Sequence, residues 1–482
     1  MFHRIDQAAI GRAGVAALVV FVAVTPAAAA GDAEIAGRSL GVVWALPFVG
    51  ILLSIALMPL IAPHFWHHHY GKVALGWALA FAVPFAVVQG GTPAAHALAH
   101  TALLEYIPFV ALLGSLFTIA GGILIKGNLH GSPKTNLAIL GGGTLLASVI
   151  GTTGASMVLI RPLIRANDER IHNVHVVVFF IFLVSNVGGS LTPLGDPPLF
   201  LGYLKGVGFF WTTVHMLAET IFVAVILLAV FHVLDRRYYA MDHRFRGFYD
   251  PTPDSRRIRL EGKINILLLA VVVAAVLMSG SWKPGIEYVV YGTPLQLQDL
   301  LRDVILIVAA GLSLVLTPRD TRAANGFTWG PIVEVAKLFA GIFVTIIPVI
   351  AMLKAGRDGP FGGLVALVSH ADGTPNNAMY FWLTGILSSF LDNAPTYLVF
   401  FNLAGGDPVE LMGPLASTLL AISCGAVFMG ANTYIGNAPN FMVKAIAEER
   451  GVHMPSFFGY MVWSGAVLIP TFVLVTAVFF RP

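Results

Sequence analysis

The chain has 482 residues, 57% of them hydrophobic and only 11% charged, with a formal net charge of +3 and a mean hydropathy of +0.81. So few charged groups cannot solvate the outside of a water-soluble globule, so lipid must be the main solvent, and a charge this small leaves no footprint for nucleic acid. Cys424 is the only cysteine, which excludes an internal disulfide framework and a cysteine-based metal site; its apolar neighbours predict ordinary helix packing.

Residues 1–30 carry His3, Arg4 and Arg12, then an apolar run from Val15 to Val24, then Pro26 and an alanine run. That layout predicts a cleavable signal peptide, with an uncleaved extra helix as the alternative. Apolar stretches follow at 40–62, 72–90, 98–125, 136–164, 171–208, 212–234, 264–282, 300–317, 329–353, 379–403, 414–446 and 456–480. A spanning helix needs about 20 apolar residues, so the pattern predicts an all-α polytopic membrane protein. Its parts are a first transmembrane repeat at 36–234, a basic loop at 235–263 and a second repeat at 264–482. The loop holds Arg236, Arg237, Arg244, Arg246, Arg256, Arg257, Arg259 and Lys263, which places it in the cytoplasm. Lys126, Lys134, Arg161, Arg165, Arg170, Arg319, Arg322, Lys444 and Arg450 fall on the same side if two stretches are re-entrant hairpins. These are 136–164, entering from the cytoplasm, and 379–403, entering from outside. Their polar middles, Gly151-Thr152-Thr153-Gly154 and Asp392-Asn393-Ala394-Pro395, would leave backbone groups unsatisfied against lipid and belong in a protein-lined cavity.

The polar breaks recur at one offset. Thr152 and Asn393 lie 241 residues apart, as do Thr192 and Thr433. Gly189-Ser190-Leu191-Thr192-Pro193-Leu194-Gly195-Asp196-Pro197-Pro198 lies over Gly430-Ala431-Asn432-Thr433-Tyr434-Ile435-Gly436-Asn437-Ala438-Pro439, sharing the Gly, Thr, Gly and final Pro positions. Upstream, Leu104-Glu105 to Gly127 matches Val333-Glu334 to Gly356 at an offset of 229. An odd number of crossings separates matched points, which predicts two inverted-topology repeats. In that plan broken transmembrane helices bind substrate and coupling ion near the midplane and work by alternating access.

Two carboxylates stand at the breaks. Asp196 precedes Pro197-Pro198, which suits an N-cap. Inside a membrane, however, an ionised carboxylate costs about 2.5–3.5 kcal/mol on insertion scales, and a bound cation, a shared proton or local water would offset this. Asp392 sits at the second hairpin tip, with Ser388 and Ser389 on the same helical face. Its counterpart Gly151 is neutral, so the turn itself needs no acid. Asn186, Thr152, Thr153, Thr192, Asn393, Asn432, Thr433 and Asn437 add hydroxyl and amide oxygens, hard ligands suited to a small cation. Sodium is assigned to Asp392, Asn393, Thr152 and Thr433, and the coupling protons to Asp392, Asp196 and the intramembrane Glu219. Against this, half-helix N-termini after Asp196 and Asn437 present positive dipole ends that favour an anion. Other features read as local: a solvated cluster of His64, His67, His68 and His69, a self-paired Glu334 and Lys337, a His96 and His100 pair without a third ligand, and a snorkelling Arg161.

Ser185-Asn186-Val187-Gly188-Gly189 running into Thr192-Pro193-Leu194-Gly195-Asp196, together with Leu391-Asp392-Asn393-Ala394-Pro395, resembles the ion-transporter superfamily in its NhaD-type sodium:proton antiporter branch. Trp44-Ala45-Leu46-Pro47-Phe48-Val49-Gly50 with Glu334-Val335-Ala336-Lys337-Leu338-Phe339 is similar to a bacterial subgroup labelled sodium:proton antiporter or citrate transporter. The resemblance implies a multi-pass protein of the bacterial inner membrane that exchanges sodium or lithium for protons. The alternative is a citrate or other carboxylate symporter driven by sodium or protons. It further implies small inorganic ions and the lipid bilayer as partners, and a homodimer. The tips Gly151-Thr152-Thr153 and Asp392-Asn393-Ala394 differ from the Ser-Asn-Thr of dicarboxylate symporters, which argues against a dicarboxylate. With no nucleophile elbow, phosphate loop or metal triad, the sequence predicts a transporter rather than an enzyme, without a resident cofactor.

Overall fold

A computed structural model describes residues 37–244 and 258–481; the signal-like segment and Arg246, Arg256 and Arg257 lie outside the described residues. The chain is all-α in its membrane part. Helices α1 (Leu46–Ile61), α2 (Pro63–Gln89) and α3 (Gly91–Thr101) come first, and α3 continues through a π turn, Ala102–Tyr106, into α4 (Ile107–Ala120). Two pairs follow, α5 (Pro133–Ile150) with α6 (Thr152–Ala166), and α7 (Val174–Leu183) with α8 (Pro197–Leu204). Then come α9 (Leu217–Arg244), α10 (Ile264–Ser281), α11 (Leu297–Leu316), α12 (Gly330–Thr345) and α13 (Ile347–Lys354). The second set of pairs is α14 (Asn377–Leu391) with α15 (Asn393–Leu403), and α16 (Ala416–Met429) with α17 (Ala438–Glu449), closed by α18 (Phe457–Phe479).

Among the described residues seven helical stretches are long and apolar enough to cross a membrane, or eight if α12 and α13, bent by 44°, form one span. Burial sorts them. In the stretch through α7, 89% of the spanning window is inside the protein, against 17% for α2. The faces of α2 and α11 that carry Leu75, Leu79, Val83, Val87, Val304, Val308 and Val315 are exposed, as a lipid-facing wall requires.

The two stretches expected to be re-entrant are each a pair of helices joined at a sharp reversal. Ser132 caps α5 by accepting from Thr135 N at 3.2 Å, with Pro133 at the first position, and the helix ends at Gly151, whose φ of +80° no helix continues. The chain then folds back, so that Asn136 in the first turn of α5 and Asn167 just past α6 exchange two side-chain hydrogen bonds of 2.8 Å. In the second hairpin Asn376 caps α14, the reversal falls at Asp392 with φ +79°, and Tyr380 meets Phe400 across it at 6.3 Å between ring centroids.

The 241-residue offset reappears in the packing, with its small residues exchanged. A side chain at Gly143 would strike Val184, and at the equivalent pair the glycine stands on the other helix, Gly425 against Thr384. Gly188 likewise abuts Thr144, whereas in the second half Gly385 abuts Met429. Each hairpin thus presses against its broken helix at two levels, and one glycine per contact permits the approach.

Three sequence expectations need correction. First, α2 starts at Pro63 rather than 72, so the histidine cluster lies in its opening turns, where His68 and His69 bond the carbonyls of His64 and Phe65. Second, α9 runs to Arg244, so Asp235, Arg236 and Arg237 are helical rather than loop residues. Third, Lys337 leaves Glu334 and lies over the Tyr70 ring at 5.5 Å, an aromatic face being a competitive partner for an ammonium group.

Several of the residues assigned to the inner side meet. A short ribbon pairs β1 (Leu124–Lys126) antiparallel with β2 (Arg259–Glu261), with Lys126 and Glu261 in an ion pair at 3.0 Å. Arg165 donates to Ile125 O, and Arg170 and Arg450 line one cavity of about 230 Å³. Arg322 is buried rather than solvated. It donates to Thr118 O and Ser313 O at the ends of α4 and α11, and burial pushes its pKa down to about 10.

Candidate functional site

Both helix breaks are built by the same bonds. Thr192 Oγ1 donates to Ser148 O in the first hairpin, and Thr433 Oγ1 to Ser389 O in the second, each at 2.5 Å. The serines answer: Ser148 Oγ donates to Gly188 O and Ser389 Oγ to Met429 O. The amides of Leu194 and Ile435 donate to the threonine oxygens at 3.1 and 3.2 Å. Every one of these atoms has its partner 241 residues away. Thr192 and Thr433 therefore fasten the break to the hairpin, because an unwound turn inside a membrane must satisfy its own backbone.

What the breaks present at their centre is Asp196. It stands at the N-cap position of α8 in extended backbone conformation, but its side chain makes no capping bond. Instead Oδ1 accepts from Thr152 Oγ1 and Asn437 Nδ2, both at 3.0 Å, and Oδ2 accepts from Asn393 Nδ2 at 2.5 Å. One carboxylate, 1% exposed, thus joins both hairpin tips and both broken helices. Each donor comes from a different element, so the group reports on the arrangement of all four.

Asp392, unlike Asp196, makes a capping bond. It is the N-cap of α15, its Oδ1 accepting from Ala394 N at 3.2 Å, while Thr396 Oγ1 donates to its carbonyl. It is only partly buried, and its charged neighbour across the site is Asp196, a second carboxylate. Among the described residues no Lys, Arg or His hydrogen-bonds or pairs with either group.

The other predicted residues divide. Asn186 is at the centre, its Nδ2 donating to Asn440 Oδ1 at 2.7 Å and its Oδ1 accepting from Asn437 Nδ2 at 3.3 Å. Asn432 donates to Ser389 Oγ at 2.9 Å. Two oxygens in this group, Asn393 Oδ1 and Asn432 Oδ1, are buried with no hydrogen-bond partner among the described residues. Such acceptors are what a small hard cation would complete. Thr153 is partly exposed beside Thr152 and makes none of the bonds to Asp196. Glu219 lies in the first turn of α9, outside this hydrogen-bonded group. His96 and His100 rings are 6.4 Å apart, and among the described residues no set of three or more His, Cys, Asp or Glu could hold a metal.

Sequence reasoning misses Ser148, although its offset to Ser389 is available as a signal. It also misses Asn440, whose counterpart 241 residues earlier is Leu199 and gives no hint. A buried network at the hairpin base escapes it as well. Asp235 Oδ1 lies 2.6 Å from Arg170 Nη2 and 2.7 Å from His175 Nε2, and Asp235 Oδ2 accepts from Asn136 at 3.1 Å. In sequence Arg170 and Asp235 look like solvated loop charges; they anchor the first hairpin to α9 instead.

A family model described as "Putative citrate transport" matches residues 37–480. An uncharacterized transporter of Mycobacterium tuberculosis is 24% identical over 439 residues, covering 88% of this chain and 90% of the relative, and one of Mycobacterium bovis matches equally. A 46 kDa membrane protein of Mycobacterium leprae is 25% identical over 331 residues, 67% of this chain and 71% of the relative.

Proposed function

The chain belongs to the family described as "Putative citrate transport", and on that premise we propose that it is a secondary transporter that exchanges sodium or lithium for protons at a two-carboxylate site between oppositely oriented halves. The observation that carries this reading is the charge of the site. Asp196 and Asp392 are near enough to repel each other and have no basic partner among the described residues, and the buried oxygens Asn393 Oδ1 and Asn432 Oδ1 are unpaired there. Two negative groups in a water-poor centre are stabilised by a cation or by a proton. One carboxylate cannot hold both well, and that competition is sufficient for antiport. Alternating access would exchange the partners of Asp196, because its three bonds span four elements that can keep all of them in one arrangement only.

A second reading has its own support. The N-termini of α8 and α17 lie at the breaks, each with proline in its first turn, and the family description points to a tricarboxylate. In that case the cation held by the aspartates would neutralise a carboxylate seated on the helix ends, and uptake would be symport. The first test is sodium-evoked proton release in everted vesicles from antiporter-deficient cells, for the wild type, Asp392→Asn and Asp196→Asn. Release that either variant abolishes supports exchange through these groups. A silent wild type together with saturable, sodium-stimulated citrate uptake would replace antiport by symport.

A further inference from the structure

We propose that Glu219 is a second proton-binding acid, separate from the Asp196 and Asp392 pair, whose protonation state is transmitted to the first helix break. The idea rests on the transporter being proton-coupled, as in the exchange reading above.

Glu219 is 4% exposed, and its Oε2 is buried with no hydrogen-bond partner among the described residues. A carboxylate in that position would leave one oxygen facing apolar protein without a donor, an expensive arrangement, whereas a carboxylic acid carries its own proton there. Among the described residues no Lys or Arg pairs with Glu219, and the one cation-forming side chain acting on it is His215. The titratable groups acting on Glu219 are His215, from the short helix Trp211–His215, and Cys424 of α16, which is fully buried. His215 is already engaged, with Nδ1 2.9 Å from Trp211 O and its ring stacked on the Trp211 indole. On the other elements packed against α9, α5 carries Lys134 and α7 carries His175, both at the far end, where Asn136 and His175 meet Asp235. Tyr460 of α18 donates to Ala431 O.

The coupling path is one residue long. Thr220, next to Glu219, shares a hydrogen bond of 2.6 Å with Ser190 Oγ, and Ser190 also bonds Val187 O within the 3₁₀ turn, Val187–Leu191, that opens the break. Thr212 and Thr213, from the segment just before α9, donate to Leu191 O. The opening turn of α9 and its approach therefore grip the segment that leads into Thr192 and Asp196. Cys424 belongs to the broken helix of the other half. A proton gained or lost at Glu219 changes the charge at the contact between this grip and that helix.

The test uses purified full-length protein and the conservative pair Glu219→Gln and Glu219→Asp. Infrared spectra of the wild type should contain the carbonyl stretch of a buried, protonated carboxylic acid. The band should be retained in Asp196→Asn/Asp392→Asn, shifted in Glu219→Asp and lost in Glu219→Gln. Absence of the band in the wild type, or its survival in Glu219→Gln, overturns the proposal. In proteoliposomes Glu219→Gln should still bind substrate but lose the acceleration of flux by a pH gradient, with Glu219→Asp restoring it; an unchanged gradient response in Glu219→Gln equally refutes the coupling. A wild type that shows the band but moves neither sodium nor citrate would sink the transport reading and leave the proton site standing.

Discussion

Asp196 and Asn437 occupy equivalent positions in the two breaks and are hydrogen-bonded to each other at 3.0 Å, so exchanging them tests whether the site has the symmetry its backbone suggests. Asp196→Asn removes the acceptor of three bonds. Hydrogen bonds to a charged group are worth about 1.5–3 kcal/mol each, and the new amide must turn its NH2 toward at least one former donor. The single change should therefore weaken the joint between the hairpins by about 2–4 kcal/mol, after allowing for the charge that no longer needs burial. Asn437→Asp errs the other way. It sets two carboxylates about 4 Å apart, a repulsion of about 4 kcal/mol at an effective dielectric of 20. The double variant restores one carboxylate and one amide, and since the 241-residue offset pairs Thr152 with Asn393 as it pairs Asp196 with Asn437, the two donors should serve the relocated carboxylate as they serve Asp196. Thermal stability in detergent and flux in proteoliposomes, both at alkaline pH so that no shared proton relieves the second variant, should recover in the double variant by about 2 kcal/mol or more beyond additivity. Additive losses would refute the reasoning, because they would mean that Asp196 is bound to its position by something other than these three side chains.

Thr152→Val should reduce transport and lower stability by about 1.5–3 kcal/mol through the lost donor to Asp196, while Thr152→Ser should remain near wild type in the same flux assay. At Asp392 the left-handed backbone costs a side chain about 1–2 kcal/mol, whereas glycine is only a few tenths worse as a cap and alanine about 1 kcal/mol worse. Asp392→Gly should thus melt at or above the wild type and Asp392→Ala below it, yet both should lose sodium-dependent flux. Gly385→Thr should overpack against Met429 at about 1–3 kcal/mol, and Met429→Gly should open a cavity at about 2–5 kcal/mol. The double variant, which copies the Thr144 and Gly188 pair of the first half, should melt above both.

The hairpins were legible because their breaks had to be polar. Gly151 and Asp392 interrupt apolar runs at places where no lipid-facing helix tolerates interruption, and the shared offset marked the two as one design. The helix ends were less legible. The first turns of α2 carry four histidines and the last turns of α9 carry Asp235, Arg236 and Arg237, and hydropathy reads such residues as loop. Hydropathy measures preference for lipid, whereas these helices are extended beyond it by hydrogen bonding and, at Asp235, by a buried ion pair that no local pattern announces. Arg170 and Arg322 mislead for the same reason, since an arginine that caps helix ends or pairs with a buried carboxylate looks in sequence like any interfacial charge.

The site shows the limit in its sharpest form, because the sequence marks both aspartates without saying which of them spends its side chain on a local cap. Asp196, followed by two prolines, has the sequence of a cap, and Asp392, at a tip whose counterpart is glycine, has the sequence of a free acid. The structure puts the cap bond at Asp392 and leaves Asp196 without one, and the reason is geometric. A cap bond needs the side chain to turn back over its own helix, and Pro197 and Pro198 remove the first amides it would reach, which frees Asp196 to face Thr152, Asn393 and Asn437. At Asp392 the positive φ aims the carboxyl along α15, where Ala394 N is available. Proline in the first helical turn therefore does more here than start a helix. It withholds the first two local amides, the third, Leu199 N, donates to the Asp196 carbonyl at 3.1 Å, and the carboxylate takes distant donors, which is how one residue comes to connect both halves of the molecule.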